Sequence, residues 1–446
     1  MSTSINKNFT PLSLLKFAMP SIIMMILMSL YTITDGIFIS RYIGSNALSS
    51  LNIVFPVINI VIAIATMLGT GGNAIISKYL GEGKKEAANE CLTLFVAVSI
   101  LLSIFILTFT LIFLTPISCF LGANDILLSD CRKYLGYSII FAPACMLQAI
   151  FQSYFVTAGK PTLGLVLTMS AGITNVILDY VFIARLDLGI KGAALATGIG
   201  QCIPAVVGLV FFIFAKNNLH FTKITLRFRE LGMACYNGSS EMVTQLSNAI
   251  VTFLFNIVLM KIAGEKGVAA ITILLYGQFL FNAFYLGFSI GISPIVGFQY
   301  GAKAKDKLKN IYKVSFIFVA VSSVVLTIMA LILTTPIMTI FTNDKETFEL
   351  AAPAFRIFAI GFLFSGLNIT SSGFFTALSN GKISAIISFC RTLVFTVISL
   401  LFLPQLLGIN GAWIAIPVAE FITLIMTVPM HLKYFIRKNN SNYFAY

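Results

Sequence analysis

The sequence predicts an all-α, polytopic membrane protein with twelve transmembrane helices in two six-helix lobes, related by a pseudo-twofold axis along the membrane normal. Its composition indicates the membrane, because 58% of the 446 residues are hydrophobic and only 10% are charged. Soluble domains have about 25% charged residues. A soluble protein of this composition would expose large apolar patches and aggregate. An internal repeat indicates the two lobes.

Apolar runs long enough to cross a bilayer, which takes about 20 residues, follow one another along the chain. They are separated by charges, prolines and glycines, and no stretch alternates polar and apolar residues as the strands of a transmembrane barrel do. The predicted spans are 13–40, 47–76, 90–114, 132–157, 163–184, 191–215, 231–261, 267–298, 310–333, 351–378, 383–403 and 411–435.

The basic residues predict the orientation of these spans. An even number of spans places both termini on one side, whose loops carry nineteen Lys and Arg against eight in the opposite loops. Because basic loops are retained in the cytoplasm, we expect both termini there. The net charge of +13 arises from these short loops. No basic groove or helical patch indicates nucleic acid as a partner.

Three segments of the first half recur in the second half at a shift of 219 or 220 residues. The pairs are 44–57 with 264–277, 69–87 with 289–307, and 188–201 with 407–420. Six spans in each half give both halves the same orientation and place a substrate path between them. We therefore predict an N-terminal lobe at 1–215, a cytoplasmic linker at 216–230 and a C-terminal lobe at 231–446.

Two acidic residues of the N-terminal lobe stand out, because a carboxylate within the bilayer is costly and indicates function. Asp35 and Asp179 each precede a basic residue at the outer end of their span by six positions, which is a depth of about 9 Å. Thr197 lies at a similar depth, and Asn175 is one helical turn from Asp179. These oxygen-bearing side chains predict a cation-binding, coupling site for H⁺ or Na⁺.

Two further acids approach the midplane of the C-terminal lobe. Glu241 lies in the seventh span and Glu420 in the twelfth. We expect them to bind a cationic substrate or to take up a proton, and a hydrogen-bonded structural role is the alternative for each. Arg391, in the eleventh span, is placed to neutralise one of them.

Motifs of catalysis are missing from the chain. No GxxxxGK[ST] loop, dinucleotide fingerprint, HExxH pair or Cys/His cluster occurs. We therefore expect no enzyme activity, no cofactor, and no metal except Na⁺ at the coupling site.

Several segments together resemble the multidrug and toxic compound extrusion (MATE) family, and look closest to its MepA-like branch. They are MPSIIMMILMSLYTITDGIFISRYIG, GTGGNAIISKYLGEGKKEA, NVILDY, GAALATGIGQ and GSSEMVTQLSNAIVTFLFN. The resemblance implies secondary active efflux of amphipathic, often cationic drugs in exchange for H⁺ or Na⁺, by alternating access. It also implies a hinge at Pro20 and a cation site at Asp35, Asn175, Asp179 and Thr197. The seventh span departs from the pattern, with Ser239-Ser240 where many relatives have a proline before the glutamate.

The alternative function is a flippase for lipid-linked oligosaccharides, from the same superfamily. It would need a strongly basic cavity for phosphate, whereas the intramembrane charges are mainly acidic. For the efflux function we expect a multi-pass protein of the bacterial plasma membrane, a monomer whose partners are small organic cations and the lipid bilayer.

Overall fold

The computed structural model describes residues 9–43, 45–215, 219–342, 344–436 and 443, and these residues contain no β-strand. Their α-helices are α1 (Pro11–Phe38), α2 (Ser45–Gly81), α3 (Lys85–Ile112), α4 (Leu114–Phe120), α5 (Leu128–Ile140), α6 (Ala142–Thr157), α7 (Pro161–Asp179), α8 (Ile190–Phe214), α9 (Phe228–Gly301), α10 (Lys305–Ile332), α11 (Thr334–Phe341), α12 (Lys345–Ala359), α13 (Phe362–Ala377), α14 (Gly381–Phe389), α15 (Phe395–Leu407) and α16 (Ile409–His431). Single π-helical segments follow α1, α7, α14 and α16, at Ile39–Ile43, Tyr180–Arg185, Cys390–Val394 and Leu432–Ile436.

These helices account for the twelve predicted spans. Nine helical stretches of the described residues are long and apolar enough to cross a membrane, and two bent pairs, α5 with α6 and α12 with α13, add one span each. Helix α9 has 74 residues and is broken at Gly264, whose φ of 60° and ψ of −153° are not helical. A single span needs only about 20 residues, so α9 supplies two spans, before and after Gly264.

The two halves of the chain repeat one another in detail. The α5–α6 pair bends by 54° and the α12–α13 pair by 53°. Helices α8 and α16 both begin after a glycine with nearly the same left-handed backbone, Gly189 at φ 56° and Gly408 at φ 58°. A side chain is strained in this conformation, which explains the glycine at both positions of the repeat.

Small residues line the contact between the lobes. Asn73 of α2 donates a hydrogen bond of 3.0 Å to Ser293 of α9, and these two residues are repeat equivalents, 220 positions apart. Equivalent residues meet in this way at a twofold axis. Nearby, Gly71 lies against the backbone of Gly238, and Gly291 lies against Ala18.

These close contacts lie in one half of the bundle. At the end of this half, α1 begins and α2 and α9 end. We call it the basic end, because the turns 82–84 and 302–304 that follow α2 and α9 carry lysines. Small residues allow backbones to approach closely without the hydrophobic driving force that water supplies. The lobes are therefore joined tightly at the basic end.

The segment between the lobes packs on α3 of the N-terminal half. His220 and Thr222 donate backbone hydrogen bonds to the side chains of Asn89 (3.2 Å) and Thr93 (3.0 Å). Arg227, which precedes α9, pairs with Glu90 at 2.5 Å. Residues 216–218 of the predicted linker lie outside the described part of the chain, and the predicted division at 215 and 231 stays a prediction.

Candidate ion and substrate sites within the bundle

Helices α1 and α7 bring the two acids of the N-terminal half together. Asp35 lies one turn before the π-helical segment that extends α1, and Asp179 lies directly before the segment that extends α7. The two carboxyl groups are close enough to interact electrostatically and, when one of them carries a proton, to form a hydrogen bond. Widened π turns are frequent at functional sites.

Several buried oxygens of this pair and of Asn175 have no hydrogen-bond donor among the described residues. Asp179 is completely buried, and neither of its carboxylate oxygens has a hydrogen-bond partner among the described residues. The same holds for Oδ1 of Asp35 and Oδ1 of Asn175. The Asn175 amide donates instead to the Thr197 hydroxyl, at 3.3 Å. Buried polar groups in proteins are nearly always paired, so this group of acceptors fits a bound proton or hard cation.

The structure thus places all four predicted N-terminal residues in one group. It adds aromatic neighbours: Tyr134 of α5 is buried within electrostatic range of both carboxyl groups, and Tyr31 lies near Asp35 and Gln148. Sequence reasoning missed Tyr31, although it precedes Asp35 by one helical turn, a spacing that places two side chains on the same face.

A buried ion pair occupies the C-terminal half. Nε of Arg391 lies 2.8 Å from Oε1 of Glu420, and the two side chains are only 11% and 5% exposed. Asn368 of α13 is fully buried and donates to Oε2 of Glu420 at 2.8 Å. Both carboxylate oxygens of Glu420 are therefore engaged. Sequence reasoning missed Asn368, although it is the repeat equivalent of Gln148 at a shift of 220 and both are polar residues in a span.

Glu241 differs from Glu420 in its surroundings. It lies in the first half of α9, is partly exposed, and no described residue forms a hydrogen bond or ion pair with it. Arg391 is near enough to attract it electrostatically without touching it. Glu241 is thus a carboxylate open to an incoming cation.

Helix α1 runs without a break through Pro20, and its contacts change shortly after this residue. Ala18 and Ile22 pack on Gly291 and Gly287 of α9, whereas Met24 and Tyr31 pack on Gly164 and Gly172 of α7. A proline removes one helical hydrogen bond and weakens the helix locally. The predicted hinge at Pro20 therefore lies about one helical turn before α1 passes from α9 to α7.

These features define a class of protein. A multi-pass helical bundle with a pseudo-twofold axis and ionisable residues buried at the level of its spans is the architecture of a membrane transporter. No group of three or more His, Cys, Asp or Glu that could hold a metal ion occurs among the described residues.

Comparison with known proteins identifies the family. The MatE family model matches residues 20–181 and 242–401, one block in each half, and the chain belongs to this family. It is a membrane transporter and not an enzyme. The multidrug export protein MepA of Staphylococcus haemolyticus is 23% identical over 439 residues, which cover 95% of this chain and 93% of that protein.

Solved structures share the fold. A crystal structure of MATE in complex with MaL6 superposes with a TM-score of 0.91 at 21% identity, covering 97% of this chain and 99% of that one. An outward-facing structure of a multidrug resistance MATE family transporter of the MOP superfamily gives a TM-score of 0.90 at 22% identity, covering 97% and 98%. The predicted all-α fold is confirmed.

Proposed function

We propose that this protein is a secondary active multidrug exporter that expels amphipathic, often cationic compounds in exchange for H⁺ or Na⁺. The observation that supports this most is the pair Asp35 and Asp179, because three of its carboxylate oxygens are buried with no donor among the described residues. Such a pair fits coupling because a cation that enters it relieves both desolvation and repulsion. The multidrug export function of MepA relatives supports the same proposal.

In this proposal the ion acts through α1. An ion shifts a conformational equilibrium only by its difference in affinity for the two states. Asp35 approaches Asp179 only while the outer part of α1 stays packed on α7, so ion binding favours that arrangement. The part of α1 before Pro20 packs on α9 of the other lobe. Movement of the outer part of α1 therefore alters the contact between lobes, as alternating access requires.

Glu241 is the proposed direct countercharge for a cationic drug, because its carboxylate is partly exposed and pairs with no described residue. The assignment of Glu420 to substrate binding stays a prediction, and its contribution is indirect in this proposal, since Arg391 and Asn368 engage both its oxygens. No cofactor takes part, and the only metal is Na⁺ if that is the coupling ion.

The flippase alternative needs cationic side chains for a lipid phosphate. Arg391 lies within a span, and its charge is already neutralised by Glu420. It is therefore a poor ligand for a lipid phosphate, which favours drug export over the flippase function. We place the protein in the bacterial plasma membrane as a monomer, with the basic end and both termini in the cytoplasm because of the positive-inside rule.

The experiment uses purified protein in sealed proteoliposomes with a fluorescent organic cation such as ethidium. An imposed H⁺ or Na⁺ gradient should drive uphill ethidium transport, and the gradient that does so identifies the ion. Asp35→Asn and Asp179→Asn should each abolish uphill transport in folded, membrane-inserted protein. Thr197→Ala should be milder, because it removes one neutral ligand.

Asp187→Asn is a matched control, because this aspartate lies in the turn before α8, outside the site. Normal uphill transport by both Asp35→Asn and Asp179→Asn would falsify the coupling site. Transport of a lipid-linked sugar without drug transport would establish the flippase instead.

A further inference from the structure

Arg391, Glu420 and Glu241 share the interior of the C-terminal half. Arg391 pairs with Glu420, while Glu241 pairs with no described residue and lies within the electrostatic reach of the same guanidinium. We propose that Arg391 is a specificity-determining residue that sets the charge of the substrate. Because Arg391 neutralises Glu420, only the negative charge of Glu241 remains for the drug. This inference rests on the proposed function and names its substrate class as monocations.

A local backbone feature holds Arg391 in place. It lies in the π-helical segment Cys390–Val394 between α14 and α15. The Thr396 hydroxyl donates to the Arg391 carbonyl at 2.8 Å, satisfying a backbone acceptor that the widened turn displaces from the regular helical pattern. π turns of this kind are frequent at functional sites.

The partner side of the ion pair is equally fixed. Asn368 donates its amide to Oε2 of Glu420 (2.8 Å) and to the Glu420 backbone carbonyl (2.9 Å). The carboxylate is therefore held by two elements, α13 and the π segment, and is not released to a substrate without breaking both contacts. Glu241, on α9, has no comparable contact among the described residues.

The charges then give a simple rule. With Glu420 and Arg391 cancelling, Glu241 leaves one net negative charge, which matches a monocation. Without Arg391 there are two carboxylates, which match a dication. Without Glu420 the guanidinium is free to neutralise Glu241, and the attraction for any cation falls. Replacing both members of a buried ion pair by neutral groups destabilises a protein far less than replacing one member. When Arg391 and Glu420 are both replaced, the single negative charge of Glu241 remains, as in the wild type.

Ethidium and propidium test this rule, because they share one aromatic ring system and differ by a second quaternary ammonium. Their binding to purified protein in lipid nanodiscs is measured by fluorescence, without any ion gradient. Arg391→Gln should raise the affinity for propidium relative to ethidium about tenfold, and Glu420→Gln should lower the ethidium affinity about tenfold. The double variant R391Q/E420Q should recover the wild-type ratio.

Arg356→Gln is the matched control, because Arg356 is an exposed arginine of the same lobe on α12. It should leave both affinities unchanged. The proposal is overturned if the two single variants change the affinities in the same direction, if the double variant does not recover the ratio, or if the wild type binds neither cation. A merely structural ion pair gives the first two results. The binding measurement uses no ion gradient. A failure of uphill export in proteoliposomes would therefore contradict the proposed antiport and leave this charge rule untouched.

Discussion

Gly81 and Gly301 make the same contact in opposite directions across the two lobes. A Cβ on Gly81 would overlap the carbonyl oxygen of Phe298, and a Cβ on Gly301 would overlap the carbonyl oxygen of Lys78. Gly81 and Gly301 are 220 positions apart in the sequence, and so are Lys78 and Phe298, the residues that they contact. Such reciprocity is the property of an interface built on a twofold axis, and here the axis relates the two halves of one chain.

Because backbone atoms cannot move aside locally, a side chain at either glycine must separate the lobes at the basic end. We expect Gly81→Val and Gly301→Val each to disfavour this closed arrangement by about 1–3 kcal/mol, the usual cost of overpacking. Spin labels on Lys84 and Lys309 should report a longer distance. Gly232→Val should have no effect, because nothing lies within 4 Å of its Cβ position. An unchanged distance in both Gly81→Val and Gly301→Val contradicts this account.

Glu241→Gln should weaken the export of cationic compounds more than that of neutral ones, because it removes an intramembrane countercharge that pairs with no described residue. The measurement compares one cationic and one neutral drug at matched protein levels. Glu349→Gln is the control, since the Glu349 side chain is 65% exposed. Equal loss for both drugs would instead assign Glu241 to structure or to coupling.

Pro20→Ala should restore a helical hydrogen bond in α1 and stiffen the helix about one turn before its contacts pass from α9 to α7. Ethidium binding should persist while ion-driven transport falls. Pro56→Ala provides the comparison, because Pro56 is likewise inside a long helix, α2. The hinge is rejected if Pro20→Ala transports normally or if Pro56→Ala loses as much.

The orientation is tested by single cysteines in a cysteine-free background. Lys223 is exposed and lies near the basic end. Glu346 lies in the first turn of α12, and its side chain is 76% exposed. With cytoplasmic termini, an impermeant thiol reagent added to intact cells should label Glu346→Cys and spare Lys223→Cys. The reverse labelling would invert the topology.

Asp344 precedes α12 and accepts hydrogen bonds from the Lys266 ammonium at 2.6 Å and from the Thr347 backbone at 3.0 Å. These contacts lower the pKa of Asp344 from 3.8 to about 2. A lowered folded-state pKa contributes stability above the unfolded value, which is lost as the pH falls through the folded one. The Tm difference between wild type and Asp344→Asn should therefore shrink between about pH 4 and pH 2. A difference that is constant over this range contradicts the ionic contribution.

Most residues of the candidate ion site could be predicted from the amino-acid sequence. A helix rises by a fixed 1.5 Å per residue, so counting from the basic residues at the span ends placed Asp35, Asp179 and Thr197 at one level. In the structure Asp35 lies within electrostatic range of Asp179, and Thr197 accepts a hydrogen bond from Asn175, one turn from Asp179 on the same helix. Tyr31 was missed because the count gives depth and does not show which helix faces which.

Hydropathy, spacing and self-similarity were enough to predict the twelve spans and the repeat, because the bilayer fixes the length of a span and a duplication leaves equal intervals. The different surroundings of Glu241 and Glu420 were not predictable in this way. Asn368, Arg391 and Glu420 belong to three different spans, and their meeting depends on how those helices rotate and pack. The reciprocal contacts of Gly81 and Gly301 likewise follow from the crossing of α2 and α9, since a glycine in a sequence does not specify which backbone will approach it.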